Sequence, residues 1–155
     1  GSGVDSFSAS AVAGKITRYG NATTAGWGVP AIYAAGRFTA QTAAKASVAA
    51  YTVGSADGSF DVSANVNVTT STTHSFTVTC TYTDEGNTSR TMTMGFTQLS
   101  GATFLTDITN VLGAGPYSSP TYHIRCKAAT AITIATTGTF TSVTYNVEGV
   151  IKQIN

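Results

Sequence analysis

The strongest constraint on the fold of this chain is the alternation of apolar and hydroxyl-bearing residues between Ser75 and Thr97. Side chains of a β-strand point alternately to opposite faces, so the pattern predicts half-buried strands whose threonines face water. Residues 84–87 read Asp-Glu-Gly-Asn and supply a turn, after which the alternation resumes in residues 92–97. Two alternating runs joined by a short polar turn predict a β-hairpin.

The same alternation recurs along most of the chain and separates an inner face from an outer one. We predict that Thr77, Thr79 and Thr81 are wetter than their even-numbered neighbours, because β-branched hydroxyl side chains suit the hydrated face of a sheet. The residues predicted to face the interior are Phe60, Val62, Val66, Phe76, Val78, Cys80, Ile124, Cys126, Ile132 and Ile134.

About eight such strands, separated by turn signals and without a long helical pattern, predict an all-β fold: an antiparallel β-sandwich or jelly roll. We assign residues 1–28 to an extended N-terminal arm or linker, because they are small and polar, and residues 29–155 to the β domain. A short helical turn at residues 40–46 stays open, since they are rich in alanine. Residues 100–120 form the longest predicted irregular region, partly packed through its apolar residues Phe104, Ile108 and Val111.

The composition limits the classes of partner. Charged residues make up 10% of the chain, against about 25% in average globular proteins, and the net charge is +1. So small a net charge gives only a weak electrostatic attraction, which does not favour binding to nucleic acid or to anionic membranes. No apolar run approaches the roughly 20 residues of a membrane helix, so we expect no membrane insertion.

Two cysteines, Cys80 and Cys126, lie on the apolar parity of their strands. Cysteine packs as a small hydrophobe, which favours a pair of buried free thiols. The alternative is a disulfide between two strands, which requires the two Cα atoms to come close together.

Catalytic and metal-binding groups are sparse. His74 stands among threonines and serines at the start of a predicted strand, with no acid nearby in sequence, and we interpret it as a solvated strand-end histidine. The acidic turns at residues 57–61 and 84–87 lack the spacing of a dedicated calcium loop, so we interpret both as ordinary turns. We therefore predict no catalytic residue, no metal and no cofactor.

Two sets of residues are candidates for ligand contact. Trp27 and Tyr117 lie outside the predicted alternating strands, and their rings would either stack on sugars or fill the core or a subunit interface. His123, Arg125 and Lys127 form an outward basic stripe, either a hydrated face paired with Glu148 or a contact for an anion or an acidic sugar.

Three segments carry a resemblance to a known group of proteins: "YTVGSADGSFDVSANVNV", "HSFTVTCTYTDEGNTSRTMTMGF" and "YHIRCKAATAITIATTGTFTSVTYNVEGVI". In this order they resemble the C-terminal β domain of bacteriophage tail-fibre, head-fibre and related virion proteins, over roughly residues 26–151. The resemblance implies a trimeric jelly roll of the tumour-necrosis-factor-like type, assembled in the host cytoplasm and displayed on the virion surface.

Together these features predict a non-enzymatic virion appendage domain of the fibre or decoration type. Its expected partners are two further copies of itself, other virion proteins and a glycan or protein of the host surface. The alternative is a monomeric carbohydrate-binding module of β-sandwich fold that works beside a catalytic domain.

Overall fold

A computed structural model describes residues 32–99, 101, 104–110 and 113–154. In this part of the chain the regular structure is entirely β, with ten antiparallel strands. They are β1 (Ile32–Gln41), β2 (Ala49–Thr52), β3 (Gly58–Thr83), β4 (Ser89–Thr93), β5 (Phe96–Gln98), β6 (Phe104–Leu105), β7 (Ile108–Thr109), β8 (Gly115–Ser118), β9 (Tyr122–Cys126) and β10 (Ala131–Gln153).

The two longest strands organise the fold. β3 has 26 residues and β10 has 23, and they pair from Thr133 opposite Thr81 to Gln153 opposite Phe60. Register shifts interrupt this ladder between residues 139 and 145 of β10. Bulges of this kind bend a strand and increase its local twist.

The bend divides the paired strands into two layers that face each other. In the front layer, residues 58–68 of β3 and 145–153 of β10 pair with β1, β8 and β9, and β8 continues through β5 to β6. In the back layer, residues 75–83 of β3 and 131–139 of β10 pair with β2, β4 and β7. The layers approach closely, since a Cβ at Gly149 of the front layer would lie 3.3 Å from side-chain carbons of Ile134 in the back layer. The architecture is that of a β-sandwich.

The core lies between the layers and confirms the predicted parity. All ten residues predicted to face the interior are buried, whereas Thr77 and Thr79 are half-buried and Thr81 is exposed. Aromatic rings fill the bent end of the core: Phe76 contacts both Phe140 and Tyr145, each at 4.9 Å between ring centroids.

The predicted hairpin is also confirmed, since β3 pairs with β4 from Thr83 opposite Ser89. Asn87 adopts a positive φ of 64° in the turn, a conformation that asparagine tolerates better than most residues. The Asp84 carboxylate accepts hydrogen bonds from the Thr88 amide at 2.9 Å and from Arg90 Nε at 2.7 Å. These two donors, the Thr88 amide more than Arg90, lower the pKa of Asp84.

Several sequence expectations differ from the structure. Ten strands replace about eight, mainly because the segment at 100–120, expected to be irregular, contains β6, β7 and β8. The helical turn considered for residues 40–46 is absent, and Gln41 still belongs to β1. Ile108 is buried as expected, but Phe104 is 59% exposed, and Val111 lies outside the described residues. The proposed arm, residues 1–28, also lies outside them.

Cys80 and Cys126 are free thiols, and both are fully buried. Burial raises the pKa of the Cys80 thiol to about 12 and that of Cys126 to about 11. Since the thiolate is the nucleophile, both cysteines act as packing residues rather than reactive ones.

Position 138, in β10 near the bend, requires a glycine, both for its backbone conformation and for the space that its neighbours leave. It adopts a φ of +137°, and a Cβ there would collide with the Ser75 carbonyl oxygen and the Phe76 Cα. We predict that Gly138→Ala lowers the free energy of unfolding by about 2–4 kcal/mol, measured by urea denaturation.

Gly54→Ala is the matched control, because apart from its chain neighbours no described atom lies within 4 Å of a Cβ at that position. Equal stability of the Gly138→Ala and Gly54→Ala variants would show that the bend does not depend on Gly138.

Candidate functional site

The outward face of the front layer carries polar side chains in register across neighbouring strands. Odd-numbered residues of β3 point outward here because the even-numbered ones fill the core. Asn65 lies opposite Glu148 of β10 on one side and Ser118 of β8 on the other. Asn67 in the same way lies between Asn146 and Pro116. Directly opposed residues point to the same face of a sheet, so these side chains form two adjacent polar rows.

A groove of about 330 Å³ runs along these rows. Buried Val66, Tyr117 and Val147 lie beneath it. The outward residues that line it are Arg37, Asn65, Asn67, Leu99, Pro116, Asn146 and Glu148. Leu99 is 65% exposed and adds an apolar surface beside the three amides.

A bulge in β1 shapes one end of the groove. The register of β1 against β10 shifts between Phe38 and Gln41, and Ala40 adopts a positive φ of 52°. The Ala40 amide donates to Asn146 Oδ1 at 2.8 Å, so Asn146 replaces part of the interrupted ladder. β-Bulges at sheet edges commonly redirect side chains next to binding sites.

The groove contains hydrogen-bonding groups that no described residue satisfies. Arg37 and Glu148 lie directly opposite each other, yet neither forms an ion pair or a side-chain hydrogen bond within the described part of the chain. The side-chain amide of Asn67 is also without a hydrogen-bond partner among the residues that the structure describes. Ser118 Oγ donates to Asn65 Oδ1 at 2.8 Å, which leaves the Asn65 amide nitrogen available as a donor.

These groove residues were not predicted from the sequence. Asn65 and Asn67 alternate with buried valines, and Asn146 and Glu148 alternate with buried Tyr145 and Val147. The alternation therefore predicts that each of these side chains points outward. It does not predict that they lie close together, because their proximity depends on the pairing of strands far apart in the sequence.

The two predicted aromatic candidates have different outcomes. Trp27 lies outside the described residues. Tyr117 lies within β8 and is 1% exposed, so its ring does not present a face on which a sugar could stack. Its hydroxyl donates to the Gly113 carbonyl at 2.8 Å. Tyr117 fills the core, which was the alternative considered for it.

The predicted basic stripe, His123, Arg125 and Lys127, also faces outward from the front layer, but its partners differ from those expected. His123 Nδ1 lies 3.0 Å from Asp61 Oδ1, and Arg125 Nε donates to Glu85 Oε2 at 2.6 Å. Glu148, the expected partner, instead lies in the groove. Two carboxylates thus offset much of the positive charge of the stripe. Anion binding by these three residues stays a prediction.

His74 corrects another expectation. It is 2% exposed and lies within β3, not at a solvated strand end. It shares the even parity of Phe76 and Val78, a signal that would have placed it inside. Ser71 Oγ lies 3.4 Å from Nδ1, while Nε2 is buried without a hydrogen-bond partner in the described structure. Burial lowers the pKa of the His74 imidazole.

The acidic turns make ordinary structural contacts. Asp57 Oδ1 accepts from the Ala128 amide at 2.7 Å. The described residues include no group of three or more His, Cys, Asp or Glu side chains placed to hold one metal ion. Within the same ranges, no helix is long and apolar enough to cross a membrane.

A second concavity of about 480 Å³ lies at the bend of the two long strands. Phe140 and Val143 contribute to it, but most of its lining consists of hydroxyl side chains: Thr42, Thr70, Ser71, Thr72, Thr141, Ser142 and Thr144. The charged groups, amides and exposed leucine of the front groove offer a more varied set of contacts, so we consider the groove the principal candidate site.

Comparisons with known proteins leave the family open. No protein-family model matches the chain, and no curated protein matches it. Among solved structures, it is similar to the CBM22-1–GH10 modules of the Clostridium thermocellum endo-1,4-β-D-xylanase 10B, a structure complexed with xylohexaose. The identity is 16%, the TM-score is 0.35, and the match covers 69% of this chain but only 19% of that one.

The buried imidazole predicts a pH-dependent stability. Because the pKa of His74 is lower in the folded state than its ordinary value of 6.5, the unfolded chain takes up a proton more readily. The contribution of neutral His74 to the free energy of unfolding is fully present above pH 6.5 and is lost as the pH falls below that value. We expect the free energy of unfolding in urea to decrease between about pH 7.5 and about pH 5.

His74→Leu should remove part of this decrease while changing the stability at neutral pH by about 1 kcal/mol or less. His123→Gln, which removes the exposed histidine, is the control and should keep it. If His74→Leu and the wild type lose stability equally on acidification, the role given to His74 is wrong.

Proposed function

We propose that this chain is a non-enzymatic glycan-recognition domain that binds sugar through the groove on the front layer. The observation that carries the proposal is a set of groups that face the groove and have no partner among the described residues: the Arg37 guanidinium, the Glu148 carboxylate and the Asn67 side-chain amide. Sugars present hydroxyls that both donate and accept hydrogen bonds. Side-chain amides and a neighbouring pair of opposite charges supply both the acceptors and the donors that such hydroxyls need.

Glu148 is the only carboxylate that lines the groove among the described residues. Hydrolysis of a glycosidic bond ordinarily uses two carboxyl groups on opposite sides of the bond. This argues for binding of a glycan without its cleavage. In a virion appendage, as the sequence resemblance implies, such a site would attach the particle to host-surface glycan; in a carbohydrate-binding module it would hold a polysaccharide beside an enzyme.

Alanine substitutions in the groove test the proposal. We predict that Arg37→Ala and Asn67→Ala each weaken binding to glycans found on an array by about ten-fold, because each removes hydrogen bonds from protein to sugar. Isothermal titration calorimetry measures the change.

Arg90→Ala is the matched control, because it removes the same charge from an exposed position on β4 in the back layer. Arg125→Ala separates the groove from the basic stripe. If Arg125→Ala loses binding while Arg37→Ala binds normally, the site lies on the basic stripe and not in the groove. If the protein binds no glycan at all, the proposed function is wrong.

The proposal includes assembly as a homotrimer. The chain has eight Lys and Arg and seven Asp and Glu among 155 residues, with a mean hydropathy of +0.11. A soluble monomer ordinarily carries charges over roughly a quarter to a third of its surface, so part of this weakly charged surface is expected to be covered. The resemblance to trimeric jelly rolls favours three subunits.

Light scattering at micromolar concentration should therefore report about three times the 15.8 kDa mass of one chain. A mass near 15.8 kDa would exclude the trimer and favour the monomeric carbohydrate-binding module. The groove variants have no bearing on this result, so recognition and assembly are tested separately.

A further inference from the structure

One polar row of the groove continues beyond it across six strands of the front layer. The strand order is β1-β10-β3-β8-β5-β6, and one residue of each strand lies opposite its neighbour. In this order they are Arg37, Glu148, Asn65, Ser118, Thr97 and Phe104. We refer to these six residues as the transverse row. All six are exposed or half-buried.

The far end of the transverse row is an exposed aromatic ring. Phe104 is 59% exposed, and its ring lies over Gly95, where a Cβ would collide with it. Gly95 and Thr97 share the outward parity, because Phe96 between them is buried. The ring therefore lies on the face that carries the rest of the row. An exposed phenylalanine supported from below by backbone is suited to stacking against the apolar face of a sugar.

The dimensions of the row indicate the shape of its ligand. Neighbouring strands lie about 4.8 Å apart, so six strands give a row about 24 Å long. One strand spacing is close to the length of one sugar unit in an extended polysaccharide. A straight chain of about five units would thus run perpendicular to the strands, from Arg37 to Phe104.

The charges of the row indicate the class of the ligand. Arg37 and Glu148 are its only ionisable members and carry opposite charges, so the row has no net charge. The other members are an amide, two hydroxyls and a phenyl ring. The Glu148 carboxylate lies directly opposite the single guanidinium, so it would repel an acidic polysaccharide that bound to Arg37. The hydroxyls of a neutral polysaccharide can instead form hydrogen bonds with both the donors and the acceptors of the row.

We propose, as an extension that rests on the proposed function, that the transverse row binds an internal stretch of a neutral, linear polysaccharide, with Phe104 stacking on the sugar furthest from Arg37. Affinity then depends on chain length. Units bound near Arg37, Glu148 and Asn65 suffice for weak binding, and only longer chains reach the ring.

Matched short and long neutral oligosaccharides test this inference: di- and hexasaccharides of the cello-, xylo-, manno- and chito- series, measured by calorimetry. We expect the hexasaccharide of at least one series to bind about ten-fold more tightly than its disaccharide, or to be the only one bound. Phe104→Ala should weaken hexasaccharide binding about three- to ten-fold and leave disaccharide binding unchanged. Phe104→Trp, which keeps a stacking surface, should retain the preference for the longer chain.

The outcomes separate this inference from the proposed function. Equal affinity for short and long chains, with Arg37→Ala still weakening both, would refute the transverse row and leave the groove as a glycan site. Binding of oligogalacturonate in place of every neutral series would refute the neutral class. If no oligosaccharide is bound, both proposals fail.

Discussion

The structure depends on the pairing of β3 with β10. Each strand runs through both layers, and the two remain partners from Thr81 to Phe60 of β3 despite the shifts at the bend. Most of the other strands pair directly with an edge that this pair provides: β1 and β2 pair with β10, whereas β4, β7, β8 and β9 pair with β3. β5 then pairs with β8, and β6 pairs with β5. A bent two-stranded ribbon therefore sets the layer spacing, the core and the positions of the remaining strands.

The same alternation that builds the core also builds the candidate site. Along residues 60–68 the valines, Phe60 and Ala64 point inward, and the residues between them point outward. Pairing with β10 and β8 then places the outward amides beside Glu148, Asn146 and Ser118. Because the buried side supplies the hydrophobic stabilisation, the outward side is free to carry polar groups that have no partner within the described chain. In this fold, the stabilising core and the candidate site lie on opposite faces of one layer.

The sequence predicted what depends on local alternation. The ten interior residues, the hairpin with its turn at 84–87 and the all-β class follow from a period of two, and the structure confirms them. His74 was misplaced because polarity was given more weight than its parity. The continuity of β3 was missed because residues 69–73 contain no buried position, so one bent strand reads as two.

The groove could not be predicted for a different reason. Glu148 and Asn65 are neighbours only through a register between strands that are remote in sequence, and single-sequence patterns do not encode such a register. The same limit explains why Glu148 was expected beside the basic stripe, whose charges are in fact paired with Asp61 and Glu85. The hydrophobic pattern determines which side chains face outward, and the strand order determines which of them meet.

The most direct test of the central claim is an NMR titration of the labelled protein with a glycan that binds it, following the side-chain amide resonances of Asn65, Asn67 and Asn146. These groups face the groove. We expect their signals to shift together and to saturate at the affinity measured by calorimetry, while the outward threonines of the back layer, Thr77, Thr79 and Thr81, are unaffected. Saturable shifts confined to the back layer or to the basic stripe, with the three asparagine amides unchanged, would contradict a binding site on the groove.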